Sequence, residues 1–453
     1  MSIYRNHLPI MGASGAQSTG YEINQSIRFN DGDSAYMHRT PSGAGNRRTF
    51  TYSLWFKLGD MASTQRMLLS VRNSDTTRDN IIFNQGSSGD FKIYFDARVS
   101  SSAHTQLEPT RVFRDPSAWY HLIVAVDTTD TTEHNRVRFY INGIQETNFT
   151  TTNYPGLNQQ FQINNTDKHS IGRFEYSSVS GYWDGYLAEI HLIDGYAYGP
   201  EYFGEFNSSN IWIPKEYSES YGTNGFKIDG RDSSDLGDDE SGNGNDFTTS
   251  GLAAHDQVAD SPTNNFCTGL PTGVGNATGV AFSEGNLTGK TSGTAGNWVS
   301  SIPVDSGKWY FEVNNHAQGS GNNLGIGQTP GGSYHHFALG SGGNQINDYD
   351  IIVNTGASGS IVGFKLDFDA GTLTHTTDGT SYSSTGSLTS GMSYAAFARL
   401  GSSSGHVAFN FGQDSTFGGL ETAGGNSDSN GIGDFYYNVP SGFLAICSKN
   451  LGS

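Results

Sequence analysis

Short runs of alternating apolar and polar residues, each closed by a cluster of Gly, Asn, Asp or Ser, recur along the chain and constrain its fold more than any other feature. The strongest pair is Trp119 to Asp127 and Arg136 to Ile141, where Leu122, Val124 and Val126 alternate and then Val137, Phe139 and Ile141. A period of two puts alternate side chains on opposite faces of a strand, and the Thr/Asp-rich connection makes the pair a hairpin. Ser26 to Phe29, Phe50 to Leu58, Arg66 to Arg72, Asn80 to Phe83, Phe91 to Val99, Ser170 to Phe174 and Gly185 to Ile193 read as strands in the same way. The signal returns after Phe266 in Trp309 to Val313, Leu324 to Gly327, Ser360 to Phe368, Leu373 to Thr376, Tyr394 to Leu400 and Val407 to Phe411. Short strands at this spacing predict antiparallel sandwiches.

Composition points the same way. The 453 residues include 60 Gly, about twice the usual ~7%. Gly costs a helix about 1 kcal/mol per position, so long helices are not expected. Aromatics at 12% exclude a disordered chain, and the fold class is all-β: two jelly-roll sandwiches with a short N-terminal arm. The formal charge of 25 − 44 = −19 opposes binding to phosphate backbones or anionic membranes, so nucleic-acid partners are not expected. No apolar run approaches the ~18 residues of a spanning helix, and Met1 to Gln17 lacks a signal-peptide core, so no membrane insertion and no classical secretion are expected. Cys267 and Cys447 are read as buried thiols.

Between about Thr223 and Pro262 the apolar residues nearly vanish, most densely in Asp229 to Asn245. The resulting division is an arm over 1–22, a first sandwich over 23–225, a linker over 226–262 and a second sandwich over 263–453. The linker's Asp density also suits a calcium loop, but the fixed Gly and bidentate Glu spacing of an EF-hand is missing.

The ordered set "YSLWFKLGD", "WYHLIVAVDTT", "RVRFYINGIQ", "SIGRF" and "YWDGYLAEIHLIDG" resembles the laminin-G-like, concanavalin-A-like jelly roll over about Ser26 to Phe206. "GKWYFEV", "LGIG", "VGFKLDFDAGTLTHTTDG" and "VAFNFGQDSTF" resemble a SPRY domain, with Asp378-Gly379 where that family often has Asn-Gly. Joined through "DDESGNGNDFT" and "DSPTNNFC", the two resemble bacteriophage tail-fibre and other appendage proteins. That resemblance implies a virion protein made in the host cytoplasm, acting as a homo-oligomer, and recognising host-surface glycans. A capsid-decorating protein is the alternative from the same resemblance.

The sequence is read as non-enzymatic. A jelly-roll glycosidase needs two carboxylates about 5 Å apart; Glu189 and His191 share a strand face, but a second carboxylate is absent there, and a structural pair is preferred. Sugar binding asks for an exposed aromatic ring to stack on a pyranose and polar groups to fix its hydroxyls. Tyr182, Trp183 and Asp184 are one candidate set, with a core role for Trp183 as the plainer reading; Tyr334, His335 and His336, in a Gly/Ser-rich loop, are another. Asp31 and Asp33 could hold calcium, but an ordinary turn is preferred, so no metal and no cofactor are expected. In the arm, Ile3, Tyr4, Leu8, Ile10 and Met11 precede Gly12 to Gly20 and are assigned to docking on other virion proteins, with the glycines as a hinge.

Overall fold

The computed structural model describes residues 20–61, 65–74, 76–85, 90–99, 104–175, 180–271, 279–318, 321–329, 350–353 and 358–452. The arm residues Ile3, Tyr4, Leu8, Ile10 and Met11 and the loop residues Tyr334, His335 and His336 lie outside the described residues.

The alternating segments pair into two sandwiches. In the first, one sheet runs β10 (Ile144–Gln145), β9 (Val137–Ile141), β8 (Trp119–Asp127), β3 (Thr49–Leu58), β13 (Gly185–Asp194), β1 (Ser26–Phe29), β18 (Gln257–Val258), with β16 (Phe226–Ile228) also pairing β13. The facing sheet runs β11 (Phe149–Asn153), β7 (His104–Pro109), β6 (Phe91–Arg98), β5 (Thr77–Gln85), β4 (Arg66–Ser74), β12 (Lys168–Ile171), β2 (Tyr36–Arg39), β17 (Thr248–Ser250). Inward side chains such as Leu54, Phe56, Leu122, Val124 and Phe139 form one core between them. Asn142 and Gly143 both take positive φ, the mirror-image turn that a two-residue hairpin between β9 and β10 needs. A separate hairpin, β14 (Gly204–Phe206) with β15 (Trp212–Pro214), brings Trp212 against Trp55 and Trp119 on the outer side of the first sheet.

The second sandwich has one sheet in the order β19 (Val280–Ser283), β20 (Thr288–Ser292), β29 (Ser403–Asn410), β22 (Lys308–Ala317), β25 (Ser360–Asp367), β26 (Thr372–Thr376), β27 (Ser383–Ser387), with β30 (Leu444–Ala445) parallel to β22. Its partner runs β21 (Gly296–Val299), β28 (Ser393–Leu400), β23 (Asn323–Thr329), β24 (Asp350–Val353). The expected hairpin is β25 to β26, closing at the Asp367–Thr372 pair with Gly371 at φ +64°.

Residues 226–262 differ from the linker expected of them. They add β16, β17 and β18 to the first sandwich, and Phe226, Leu236 and Phe247 are buried in its core. The acidic residues between them close turns on the backbone: Asp229, Asp232, Asp235 and Asp239 each accept a hydrogen bond from the amide two residues on. Composition resembled a linker because the polar residues serve as turn chemistry while a few apolar side chains, Phe226, Ile228, Leu236 and Phe247, carry the packing.

The sandwiches meet through buried polar contacts. Arg28 on β1 has no exposed surface and lies 2.8 Å from Asp414 and 3.1 Å from Glu284, both in the second sandwich, and 3.5 Å from Asp256. Tyr186 donates to the Gly285 carbonyl at 2.8 Å, and Asn286 donates across the same boundary to the Gly59 carbonyl at 3.0 Å.

Candidate functional site

At the end of β13 the chain turns outward, and this turn builds an open cleft of about 480 Å³. Gly45, Asn46, Asp194, Gly195, Tyr196 and Thr223 line it, with Ser220 and Gly222 completing one wall. The cleft is assembled around Asp194. Its carboxylate accepts from Asn46 N at 2.7 Å, Asn164 Nδ2 at 3.1 Å and Asn224 N at 3.0 Å, so one buried side chain ties together three loops. Two glycines permit that closeness: a Cβ on Gly45 would lie 2.2 Å from Asp194 Oδ2, and one on Gly222, at φ +71°, would lie 2.1 Å from the Asp194 carbonyl oxygen.

Tyr196 follows Gly195 out of the strand and keeps 47% of its surface exposed. Its backbone is fixed, because Thr51 Oγ1 donates to the Tyr196 carbonyl and accepts from Tyr198 N, both at 2.8 Å. Behind it the rings of Tyr196 and Tyr198 stack 5.3 Å apart at 6°, and Tyr198 leans on Tyr202 with centroids 4.0 Å apart. A rigid, half-exposed aromatic face therefore stands beside the Ser220 and Thr223 hydroxyls and the exposed Asn46 amide. That combination suits an amphipathic ring with an apolar face and hydroxyl edges, and the volume falls within the ~300–1,000 Å³ of small-ligand sites.

The sequence candidates fare differently. Trp183 is fully buried, edge-on to Phe56 and Phe83 with centroids 6.0 and 5.7 Å apart, so it is core and cannot stack on a ligand. Asp184 is buried too; it accepts from Asp60 N at 3.0 Å, and burial pushes its carboxyl up to about 7. Tyr182 is half-buried beside Tyr36, whose ring carries the Arg173 guanidinium 3.7 Å from its centroid. These three residues do not form one surface. Tyr196 carries the exposed ring instead, and the signal that could have found it is the "GYAYG" that interrupts the alternation directly after Asp194.

Glu189 and His191 meet as their shared strand face requires, with His191 Nε2 3.1 Å from Glu189 Oε2. A bulge in β13 gives Glu189 φ +48° and turns it to the outer side of the sheet, under Tyr21 and Lys227. Tyr21 donates to Oε1 at 2.7 Å, and Lys227 Nζ lies 3.1 Å from the same oxygen. Burial would raise this carboxyl, but the His191 hydrogen bond and the neighbouring cations outweigh it and hold Glu189 at about 2. The group is 5% exposed. Its geometry is that of a permanently ionised, fully partnered carboxylate.

Asp31, Asp60 and Asp184 also converge. Arg66 reaches toward the group, pairing with Asp60 and lying 3.3 Å from Asp31, so two of the three carboxylates already face a guanidinium. Asp33 turns away and accepts from Asn30 Nδ2 at 2.8 Å.

Residues 30–197 match the family described as the concanavalin A-like lectin/glucanases superfamily. The first sandwich is a concanavalin A-like jelly roll. Among solved structures, the chain is similar to a heptameric SAP-like pentraxin from Limulus polyphemus (16% identity, 38% of this chain and 77% of that one, TM-score 0.30). It is similar to the SPRY domain of human HERC1 (15% identity, 29% and 91% covered, TM-score 0.23). It is also similar to the enzymatically active domain of bacteriophage CBA120 tailspike protein 2 (11% identity, 44% and 30% covered, TM-score 0.26). The search of curated proteins found no match.

Proposed function

We propose that this chain is a non-enzymatic adhesion protein of a bacteriophage virion appendage, which holds host-surface glycans in the Tyr196 cleft. The observation that carries the glycan reading is the half-exposed, rigidly backed Tyr196 ring beside hydroxyl and amide groups in an open cleft. An open site suits an internal or terminal unit of a long surface polymer, and display in several copies would turn weak single contacts into avidity. The non-enzymatic part is supported by Glu189, which is too buried to meet a polysaccharide and too acidic to donate a proton near neutral pH. The virion assignment is supported by the ordered sequence resemblance across both sandwiches. A glycan array with the full chain tests the first part, since absence of binding to every bacterial surface glycan presented would overturn it. Electron microscopy of virions labelled with an antibody to this chain tests the second. Gold on tail appendages supports the assignment, gold over the shell moves the protein to a capsid-decorating role, and unlabelled particles remove it from the virion.

A further inference from the structure

Lys57 lies on β3 where the first sandwich meets the second, and its side chain is wholly buried. Its Nζ donates to Asp260 Oδ2 at 2.7 Å, to Asn265 Oδ1 at 2.7 Å and to the Phe266 carbonyl at 3.0 Å. Asp260 is fully buried and Asn265 is 1% exposed. Aromatic groups wall the site: Trp119 Nε1 donates to Asp260 Oδ1 at 3.0 Å, and the Lys57 ammonium sits 5.5 Å from the Tyr186 ring centroid. An amine, a carboxyl and a carboxamide therefore touch one another in a chamber closed to solvent.

A tie between two sandwiches needs only the ion pair, and the carboxamide adds a second chemistry. The 2.7 Å contact between Nζ and Asp260 Oδ2 gives a direct path for a proton to pass between amine and carboxylate. The 2.7 Å contact from Nζ to Asn265 Oδ1 holds amine and amide side by side, so a reaction between them needs no bimolecular encounter. Asn265 Nδ2 donates to the Ser117 carbonyl at 2.9 Å, which keeps the amide oxygen turned toward Lys57.

We infer that Lys57 and Asn265 condense into an intramolecular isopeptide bond, with Asp260 as the proton carrier. Nζ attacks Asn265 Cγ, and Asp260 first protonates the carbonyl oxygen and takes the proton that Nζ sheds. It then delivers a proton to Nδ2, the Cγ–Nδ2 bond breaks, the oxygen returns its proton to Asp260 as the new amide carbonyl forms, and the ammonia leaves with that proton as ammonium. Lys–NH₂ and Asn–CONH₂ become Lys–NH–CO–Asn and NH₃, with no oxidant, reductant or metal required, and Asp260 ends as it began. The bond joins residues 208 positions apart and locks the sandwiches covalently. That is a useful property for an adhesin under load.

Intact mass spectrometry of the full chain, denatured after prolonged incubation at growth temperature, tests this. The expected mass is lower than the sequence mass by one ammonia, about 17 Da. Tryptic digestion is expected to leave Lys57 uncleaved and to join the 49–66 peptide to the 232–290 peptide that contains Asn265. A chain at its sequence mass overturns the inference. So does the mass loss with those two peptides separate, because succinimide formation at Asn142-Gly143 also expels ammonia. Lys57→Arg and Asp260→Asn are expected to show the sequence mass; a joined peptide in Asp260→Asn at the wild-type level would remove Asp260 from the chemistry. The wild-type measurement stands even if either variant fails to fold.

Discussion

Replacing Arg28 by Met tests how the two sandwiches are held together. Arg28 is surrounded by Asp256, Glu284 and Asp414, and a Met fills similar volume while leaving three carboxyls without their cation. Removing one partner of a buried ion pair costs about 3–5 kcal/mol, most of it the penalty on the charges left behind. The carboxyls have one escape, which is to take up protons. Burial already holds Asp256 and Glu284 above the usual range despite Arg28, whereas in Asp414 burial is outweighed by Arg28 and local hydrogen bonds. Without Arg28 all three move up, so protonation relieves the variant at acid pH. Urea unfolding followed by tryptophan fluorescence at pH 8 and pH 5 should show a loss of about 3–5 kcal/mol at pH 8 that shrinks at pH 5. Adding Glu284→Gln and Asp414→Asn should recover part of it. A loss below about 1 kcal/mol, as for a surface ion pair, or one that does not shrink on acidification, would refute the reasoning.

Three further outcomes follow from named side chains. Trp183→Ala should destabilise the chain by about 3–5 kcal/mol in thermal or urea unfolding; a change typical of surface positions would return Trp183 to the list of ligand contacts. Glu189→Gln should lower stability at pH 7. Glu189 is depressed to about 2 in the folded state, so its contribution is present above the unfolded carboxyl value, and the difference from wild type should vanish as pH falls toward 2. Released reducing ends that disappear in that variant would instead support a hydrolase. Glu312 has the opposite sign: burial pushes it up to about 7, so it stabilises the fold increasingly as pH falls from 7 toward the unfolded value. Glu312→Gln should therefore lose ground to wild type on acidification; His121, driven down to about 3 by burial, lowers the stability of both proteins over the same range and cancels in the difference.

The strands were legible where alternation was long enough to have a phase. Trp119–Asp127 stands as the pattern gave it, and Thr49–Leu58 extends its reading by one residue. Tyr36–Arg39, Thr248–Ser250 and Ser383–Ser387 escaped because short or nearly all-polar runs show no phase, and only a neighbouring strand decides them. The 226–262 segment was misread for a related reason: composition counts side chains and does not reveal that Phe226 and Phe247 pack together with centroids 4.7 Å apart. Of the aromatics near β13, Trp183 is buried in the core and Tyr196 is the ring exposed at the cleft. Trp183 and Tyr196 are both aromatics beside an Asp at opposite ends of β13. The difference between core and cleft is whether the chain there enters the sandwich or turns out at Gly195.

The central claim is that Tyr196 is the stacking platform of a glycan site. Titration calorimetry should compare the full chain with Tyr196→Ala, using an oligosaccharide selected on the array. The expected result is affinity weakened by about tenfold or more, roughly 1.4 kcal/mol, with a melting temperature unchanged from wild type. Equal affinities in the two proteins would contradict the account and move glycan binding away from this cleft.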